Sequence, residues 1–312
     1  MKKFLTALAA ILVILVIGGG AVHFFQTRNA ADVVPGTGDN EAGPNPGDNP
    51  AVNQPDDCPR VEVLSAPGTW ESKADDDPLN PTANPKSFML SITKPLQAEY
   101  PADDVKVWTL PYTAQFKNIN SREEMSYDES RDEGTSKLEG ELRQMHERCP
   151  GTKFILTGFS QGAVLTGDVA DRIGTGNGPV PADSVAGVAV IADGRRENGV
   201  GINPGNELGG IGAEIALQPV SNLVQPIVPG ATMRGKRPGG FGELADRTFE
   251  ICAPDDSVCD APLDVSNGLD RARGLIEANG VHALYATNDN VIPGTTANQW
   301  VVDWARDTIN GI

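Results

Sequence analysis

Histidine is scarce in this chain of 312 residues: His23, His146 and His282 are all there is. Any chemistry that needs an imidazole is therefore a choice among three positions. Basic residues are also in deficit, with 25 Lys and Arg against 42 Asp and Glu and a formal net charge of -17. Binding to nucleic-acid phosphates needs a basic face, so no nucleic-acid partner is expected. The four cysteines, Cys58, Cys149, Cys252 and Cys259, do not form paired CxxC knuckles, and with so little histidine no metal site is expected either. No internal repeat stands out.

What the chain does have begins at its N-terminus. Met1-Lys2-Lys3 precedes an apolar stretch from Phe4 to Phe25, close to the roughly 20 residues that span a bilayer. The two lysines keep the N-terminus in the cytoplasm and direct the rest of the chain outward. No clean Ala-x-Ala site closes the stretch, so residues 1–26 read as a signal anchor in preference to a cleaved signal peptide. His23 lies in this segment, away from any exported site. Residues 27–57, rich in Pro, Gly, Asn and Asp, bury too little apolar surface to fold and read as a disordered linker. The globular domain then occupies residues 58–312. In an exported domain four cysteines favour two disulfides, with three pairings open.

Within that domain strands alternate with helices. Strands are expected at Val61–Leu64, Val105–Leu110, Val185–Ala192 and Phe249–Cys252, and in the apolar run that starts at Lys153 and ends in Gly158-Phe159-Ser160-Gln161-Gly162. Helices are expected near Pro85–Glu99, over Ser136–Arg148 after a polar segment Asn118–Glu133, after Ser160, over Leu263–Ala278 and over Thr296–Ile309. This rhythm predicts an α/β fold, a mainly parallel sheet with helices on both faces. Arg195–Arg247 interrupts it, being long, rich in Gly and Pro, yet carrying Ile211, Ile215, Leu217, Val220, Leu223, Val224, Ile227 and Val228. Such a segment is either a lid over a substrate or a cover for the sheet edge. Its basic residues, Arg195, Arg196, Arg234, Lys236, Arg237 and Arg247, read as a solvated loop face in preference to a site for an anionic head group.

The stretch that carries chemistry is Gly158-Phe159-Ser160-Gln161-Gly162, placed between an apolar strand and a helix pattern at Val164, Leu165, Val169, Ala170 and Ile173. A strand, a tight turn and a helix hold a serine exposed as a nucleophile, with glycines where a side chain would keep strand and helix apart. A serine hydroxyl needs a base, and in this fold order acid and histidine follow the serine. His146 precedes Ser160, which leaves His282. The acid that orients it is to be found among Asp193, Asp255, Asp256 and Asp260. Asp193 has the merit of a strand end. A loop closed by a Cys252–Cys259 bridge would hold a carboxylate more rigidly, which favours Asp256.

Gly158-Phe159-Ser160-Gln161-Gly162-Ala163, Cys252-Ala253-Pro254-Asp255-Asp256-Ser257-Val258-Cys259 and the later His282 together resemble the cutinase family of serine esterases. The resemblance covers Cys58 to the C-terminus. It implies a compact α/β-hydrolase fold, the pairs Cys58–Cys149 and Cys252–Cys259, and a triad of Ser160, His282 and Asp256. It also implies an oxyanion hole from the backbone N–H of Gln161 and from Thr69, in the loop after the first strand. No cofactor is implied. Secreted cutinases lack both the anchor and the long insertion. In these two respects the chain resembles membrane-anchored cutinase-like lipases of actinobacteria with mycolic-acid envelopes, which are linked to phospholipid and acyl-thioester hydrolysis. The resemblance thus implies a monomeric, extracytoplasmic catalytic domain acting on lipid or acyl-ester substrates of the cell envelope. An acyltransferase using the same residues, or a lipid-binding protein without turnover, are the alternatives.

Overall fold

The chain divides into two units, Met1–Ala51 and Val52–Ile312. The computed structural model describes residues 54–263 and 280–312, all in the second unit. The expected anchor, most of the linker, and the helix expected over Leu263–Ala278 beyond Leu263 itself lie outside the described residues. Among the described residues no helix is long and apolar enough to cross a membrane.

Five parallel strands, β1 (Val61–Ala66), β2 (Val105–Thr109), β3 (Lys153–Phe159), β4 (Val185–Ile191) and β5 (Thr248–Ile251), form one sheet in the order β2-β1-β3-β4-β5. The chain runs outward from β1 to β2, then returns to build β3 on the other side of β1. That reversal opens a crevice beyond the C-terminal ends of β1 and β3, where open α/β sheets bind their ligands.

Side chains alternate across the sheet, so each strand feeds two cores. Val61, Val63, Ile155, Ala189 and Ile191 face α1 (Leu90–Glu99) and the final helix, with Ile92, Leu96, Val301, Val302 and Ile309 packed on them. Leu64, Ala66, Phe154, Leu156, Val188 and Val190 face α2 (Tyr127–Arg148) and α3 (Gln161–Gly174), meeting Leu138, Leu142, Leu165, Val169 and Ile173. Two short helices, α4 (Ala213–Leu217) and α5 (Ser221–Val224), lie in the insertion, and α6 (Ala297–Asn310) closes the fold.

The strands agree with the sequence reading to within about a residue or two, the usual uncertainty of element ends. Two helices differ more. α1 begins at Leu90 rather than near Pro85, the preceding residues forming turns. α2 begins at Tyr127, well before the expected Ser136, because Ser126 and Glu129 form a capping box: the Glu129 N–H donates to Ser126 Oγ at 3.3 Å and the Ser126 N–H to Glu129 Oε2 at 3.1 Å. The disulfides are Cys58–Cys149 and Cys252–Cys259. By loop closure alone the former, spanning 91 residues, contributes about 4–5 kcal/mol.

Glu62 sits mid-strand in β1 with no exposed surface, 2.9 Å from Lys106 Nζ on β2. Burial raises its carboxyl from 4.5 to about 8, against the pull of Lys106. Between those values the unfolded chain has released a proton that the folded one retains, so stability falls as pH rises through that window. Thermal melts at about pH 5 and about pH 8 should therefore show a decline in the wild type that is smaller in Glu62→Gln.

Candidate active site

Ser160 follows β3 directly and caps α3. Its backbone lies at φ 55°, ψ -119°, a conformation that non-glycine residues rarely adopt. The turn is held by the Ser160 N–H, which donates to the Ile191 carbonyl at 2.9 Å, and by its own carbonyl, which accepts from the Val164 N–H at 3.0 Å. The flanking glycines are required by space. A Cβ on Gly158 would stand 2.3 Å from the Gly162 carbonyl oxygen, and one on Gly162 would stand 2.0 Å from that of Ala66.

His282 Nε2 is 2.9 Å from Ser160 Oγ, and His282 Nδ1 is 2.9 Å from Asp256 Oδ2. Hydroxyl, imidazole and carboxylate thus stand in series, the arrangement that lets an imidazole take a serine proton while a carboxylate steadies the resulting cation. Phe159 stacks on the imidazole at 5.1 Å, with 22° between the planes.

Asp256 is fully buried in the loop closed by Cys252–Cys259. It also accepts the Val258 N–H at 2.9 Å and the Tyr285 hydroxyl at 2.7 Å. Burial pushes its carboxyl up, but these donors and His282 outweigh burial and hold it below the usual carboxylate range. The other acids considered from sequence are engaged differently. Asp193 accepts two bonds from Arg237, and Asp260 accepts the Gly210 and Asp255 N–H groups.

Thr69 and Gln161 meet above Ser160's turn. The Thr69 hydroxyl donates to Gln161 Oε1 at 3.1 Å, and Gln161 Nε2 donates to Ser130 Oγ at 2.8 Å. The Thr69 hydroxyl proton is thus engaged. The Gln161 N–H belongs to the first turn of α3, whose amides have no intrahelical acceptor.

A cavity of about 390 Å³ opens over these groups. Phe88, Phe116, Phe159 and Val164 form apolar walls, and Ala213, Glu214 and Met233 of the insertion complete them. Glu214 is neutralised where it lies, accepting from Arg131 at 2.8 Å and from the Tyr127 hydroxyl at 2.8 Å. The insertion is fastened to the domain by charge. Arg195 donates to Asp168 Oδ1 at 2.8 Å and Arg237 to the same oxygen at 2.9 Å, while Arg196 donates to the Cys259 carbonyl. The expectation of a solvated basic face is thus corrected for Arg195, Arg196 and Arg237, all of them buried, although the Lys236 side chain is 63% exposed. For Arg195 and Arg237 the reason is Asp168, a buried carboxylate on α3 that needs cations, and its lowered pKa reflects Arg237 and Arg195 prevailing over burial; Arg196 is held instead by the Cys259 and Gly210 carbonyls.

Sequence reasoning misses Tyr285, Glu71 and the Arg131–Glu214 pair. Tyr285 lies three residues after His282, and Asp168 interrupts an otherwise apolar helix face; both carry a weak signal. Glu71 and Glu214 carry none: beyond the local Gly68 N–H, the groups that bind them, Ser87, Phe88, Tyr127 and Arg131, are brought to them only by the fold.

A serine on a strained strand-to-helix turn, at the reversal point of a parallel sheet covered on both faces, defines a class: α/β enzymes of the hydrolase type. Within it, a family model for cutinases matches residues 57–301, and the chain belongs to the cutinase family. It is 61% identical over 314 residues to a Corynebacterium glutamicum protein described as a carboxylesterase Culp6 homolog, covering 99% of both chains. Among solved structures, the catalytic core of a Trichoderma reesei acetyl xylan esterase is 18% identical with a TM-score of 0.49, covering 81% of this chain and 98% of that one. A cutinase-like protein from Cryptococcus sp. is 17% identical with a TM-score of 0.48, covering 82% and 98%. The chain is a carboxylic-ester hydrolase.

Tyr285→Phe removes a donor to Asp256 and leaves the buried Ala253 N–H, which donates to Tyr285 Oη at 2.9 Å, without its acceptor. Denaturant unfolding should show a loss of about 1–3 kcal/mol. With one fewer donor the Asp256 carboxyl rises towards its unfolded value, so less stability should be lost on acidification than in the wild type.

Proposed function

We propose that this protein hydrolyses acyl esters of cell-envelope lipids through an acyl-enzyme on Ser160. The observation that carries the reading is the unbroken hydrogen-bonded series Ser160–His282–Asp256 at the floor of an apolar cavity.

In this reading His282 Nε2 removes the Ser160 proton as Oγ attacks the acyl carbonyl, and Asp256 stabilises the imidazolium. The oxyanion of the tetrahedral intermediate is received by the N–H groups of Gln161 and Thr69, each donor of this kind being worth about 3–4 kcal/mol. The imidazolium then protonates the leaving alcohol. Water, activated by the same histidine, attacks the acyl-enzyme, releasing the acid and restoring Ser160.

Apolar walls suit an acyl chain, and with Arg131 against Glu214 the one carboxylate on the insertion's side carries its counter-charge. The insertion therefore serves in both ways: Ala213 and Met233 wall an acyl pocket, while Ile202 bridges Phe249 along the edge strand β5. The anchor expected in residues 1–26 would tether the domain on the outer side of the membrane, where envelope lipids are within reach.

A fluorophosphonate should label the wild type and not Ser160→Ala, and that variant should lose about 10⁴–10⁶-fold in kcat on p-nitrophenyl esters. Labelling of Ser160→Ala at the wild-type rate would refute the assignment. Met233→Trp, which fills the pocket from the insertion side, should lower kcat/KM for long-chain esters about tenfold relative to acetyl esters. A panel of phospholipids, acyl thioesters and simple esters then identifies the substrate class.

A further inference from the structure

One half-buried carboxylate in the cavity wall has no part in the acyl-transfer steps at Ser160. Glu71 lies at the end of a turn in which its N–H donates to the Gly68 carbonyl at 3.0 Å. Its side chain folds back on the same turn. Oε2 accepts the Gly68 N–H at 3.0 Å and the Ser87 hydroxyl at 3.0 Å, and Oε1 accepts the Phe88 N–H at 2.7 Å. Between Gly68 and Glu71 the turn carries Thr69 and then Trp70, whose φ of 64° is left-handed. Such a backbone is strained and needs external support. The Trp70 N–H donating to the Ala114 carbonyl at 2.6 Å supplies part of it.

The turn also abuts the nucleophile. A Cβ on Gly68 would lie 3.3 Å from Ser160 Cβ and 2.9 Å from Phe159 Cδ1. Phe88, whose N–H Glu71 accepts, packs its ring 4.6 Å from that of Phe159, which in turn stacks on His282. One carboxylate therefore ties the turn after β1 to the aromatic stack beneath the imidazole.

We infer that Glu71 is a positioning residue for the oxyanion hole: its two oxygens clamp the Gly68–Glu71 turn to the Ser87–Phe88 segment and so aim the Thr69 N–H at the substrate oxygen. The inference rests on the reading of Thr69 as an oxyanion donor. It requires a carboxylate, because the Gly68 and Phe88 N–H groups bind different oxygens. An amide accepts at one atom only, so in Glu71→Gln one of the two N–H groups faces an NH₂ group. Burial raises the Glu71 carboxyl, and the donors from Phe88, Gly68 and Ser87 and the nearby His282 oppose that rise.

The test is Glu71→Gln, with active enzyme counted by fluorophosphonate titration. Loss of aim acts on the transition state alone, so kcat should fall about 10–100-fold while KM stays within about twofold. Affinity for a trifluoromethyl ketone, which forms a tetrahedral adduct on the serine, should fall by the same factor, and affinity for a simple alcohol inhibitor should not change. A lower melting temperature with unchanged kcat per active site would overturn the inference, since that is what a purely structural residue does. If Glu71→Gln does not fold, Ser87→Ala takes one donor from Oε2 with the backbone clamps intact. A fall in kcat of about threefold at constant KM is then expected, and an unchanged kcat is the overturning result. The parent reading is scored separately, because Ser160→Ala abolishes turnover whether or not Glu71 matters.

Discussion

The catalytic end of the sheet depends on how closely α3 crosses β1 and β3. Carbonyl oxygens occupy the places where Cβ atoms of Gly158 and Gly162 would be, so no other residue pair permits the crossing. This contact lets the helix begin immediately after the strand, and the turn between them forces Ser160 into its rare backbone conformation. A strained residue of this kind costs about 1–3 kcal/mol. The strain persists because the turn is tied at both ends, to Ile191 on β4 and to Val164 in α3. The same crossing brings the end of β1 against the nucleophile, which is why a turn almost a hundred residues earlier in sequence faces the same cavity.

A second constraint is the burial of Asp168. A carboxylate in the middle of α3, 6% exposed, demands compensation, and Arg195 and Arg237 provide it from either end of the insertion. Desolvation offsets most of the attraction in such clusters, so their net contribution to stability is small. Their consequence here is geometric. Arg237 also reaches both oxygens of Asp193 and the Val164 carbonyl, so a segment rich in Gly and Pro is fixed between α3 and the end of β4. With that frame set, Leu217, Val224, Ile227, Val228 and Met233 pack into a small core of their own with Tyr127.

Legibility in the sequence tracks the range of the interactions involved. Strands and the elbow are readable because their determinants are local: apolar runs, glycines two residues either side of a serine, a helical period beyond. His282 is readable by elimination. The start of α2 escapes notice although its capping box is local, because a polar stretch hides it from a search for apolar periodicity. Asp256 can be preferred but not isolated from sequence, since what distinguishes it from Asp255 and Asp260 is the direction its side chain takes within a short disulfide loop. The buried arginines are misread for a stronger reason. Arg195 and Asp168 are 27 residues apart and Arg237 and Asp168 are 69 apart, and in a sequence a charge in a glycine-rich segment carries no mark of burial.

These two constraints divide the cavity into parts with different tolerance. On one side stand the elbow, the acid loop with its disulfide and the Tyr285 hydroxyl, the aromatic stack under His282, and the turn bound by Glu71. Each is held by short hydrogen bonds or by covalent closure, and each contacts a group assigned to the reaction. The other side is the insertion. Arg195 and Arg237 fasten it to α3 and the end of β4, Arg196 and the Ala213 N–H fasten it to the Cys259 and Val258 carbonyls of the acid loop, and its Ala213 and Met233 line the cavity. A change of volume at Met233 alters the space for an acyl chain from within the insertion's own core, whereas Ala213 bonds Val258, whose N–H in turn donates to Asp256, and shares any strain with the acid loop. A buried apolar side chain packed in a core apart from the acid loop, as Met233 is, marks the kind of position at which acyl selectivity can shift while the chemistry stays in place.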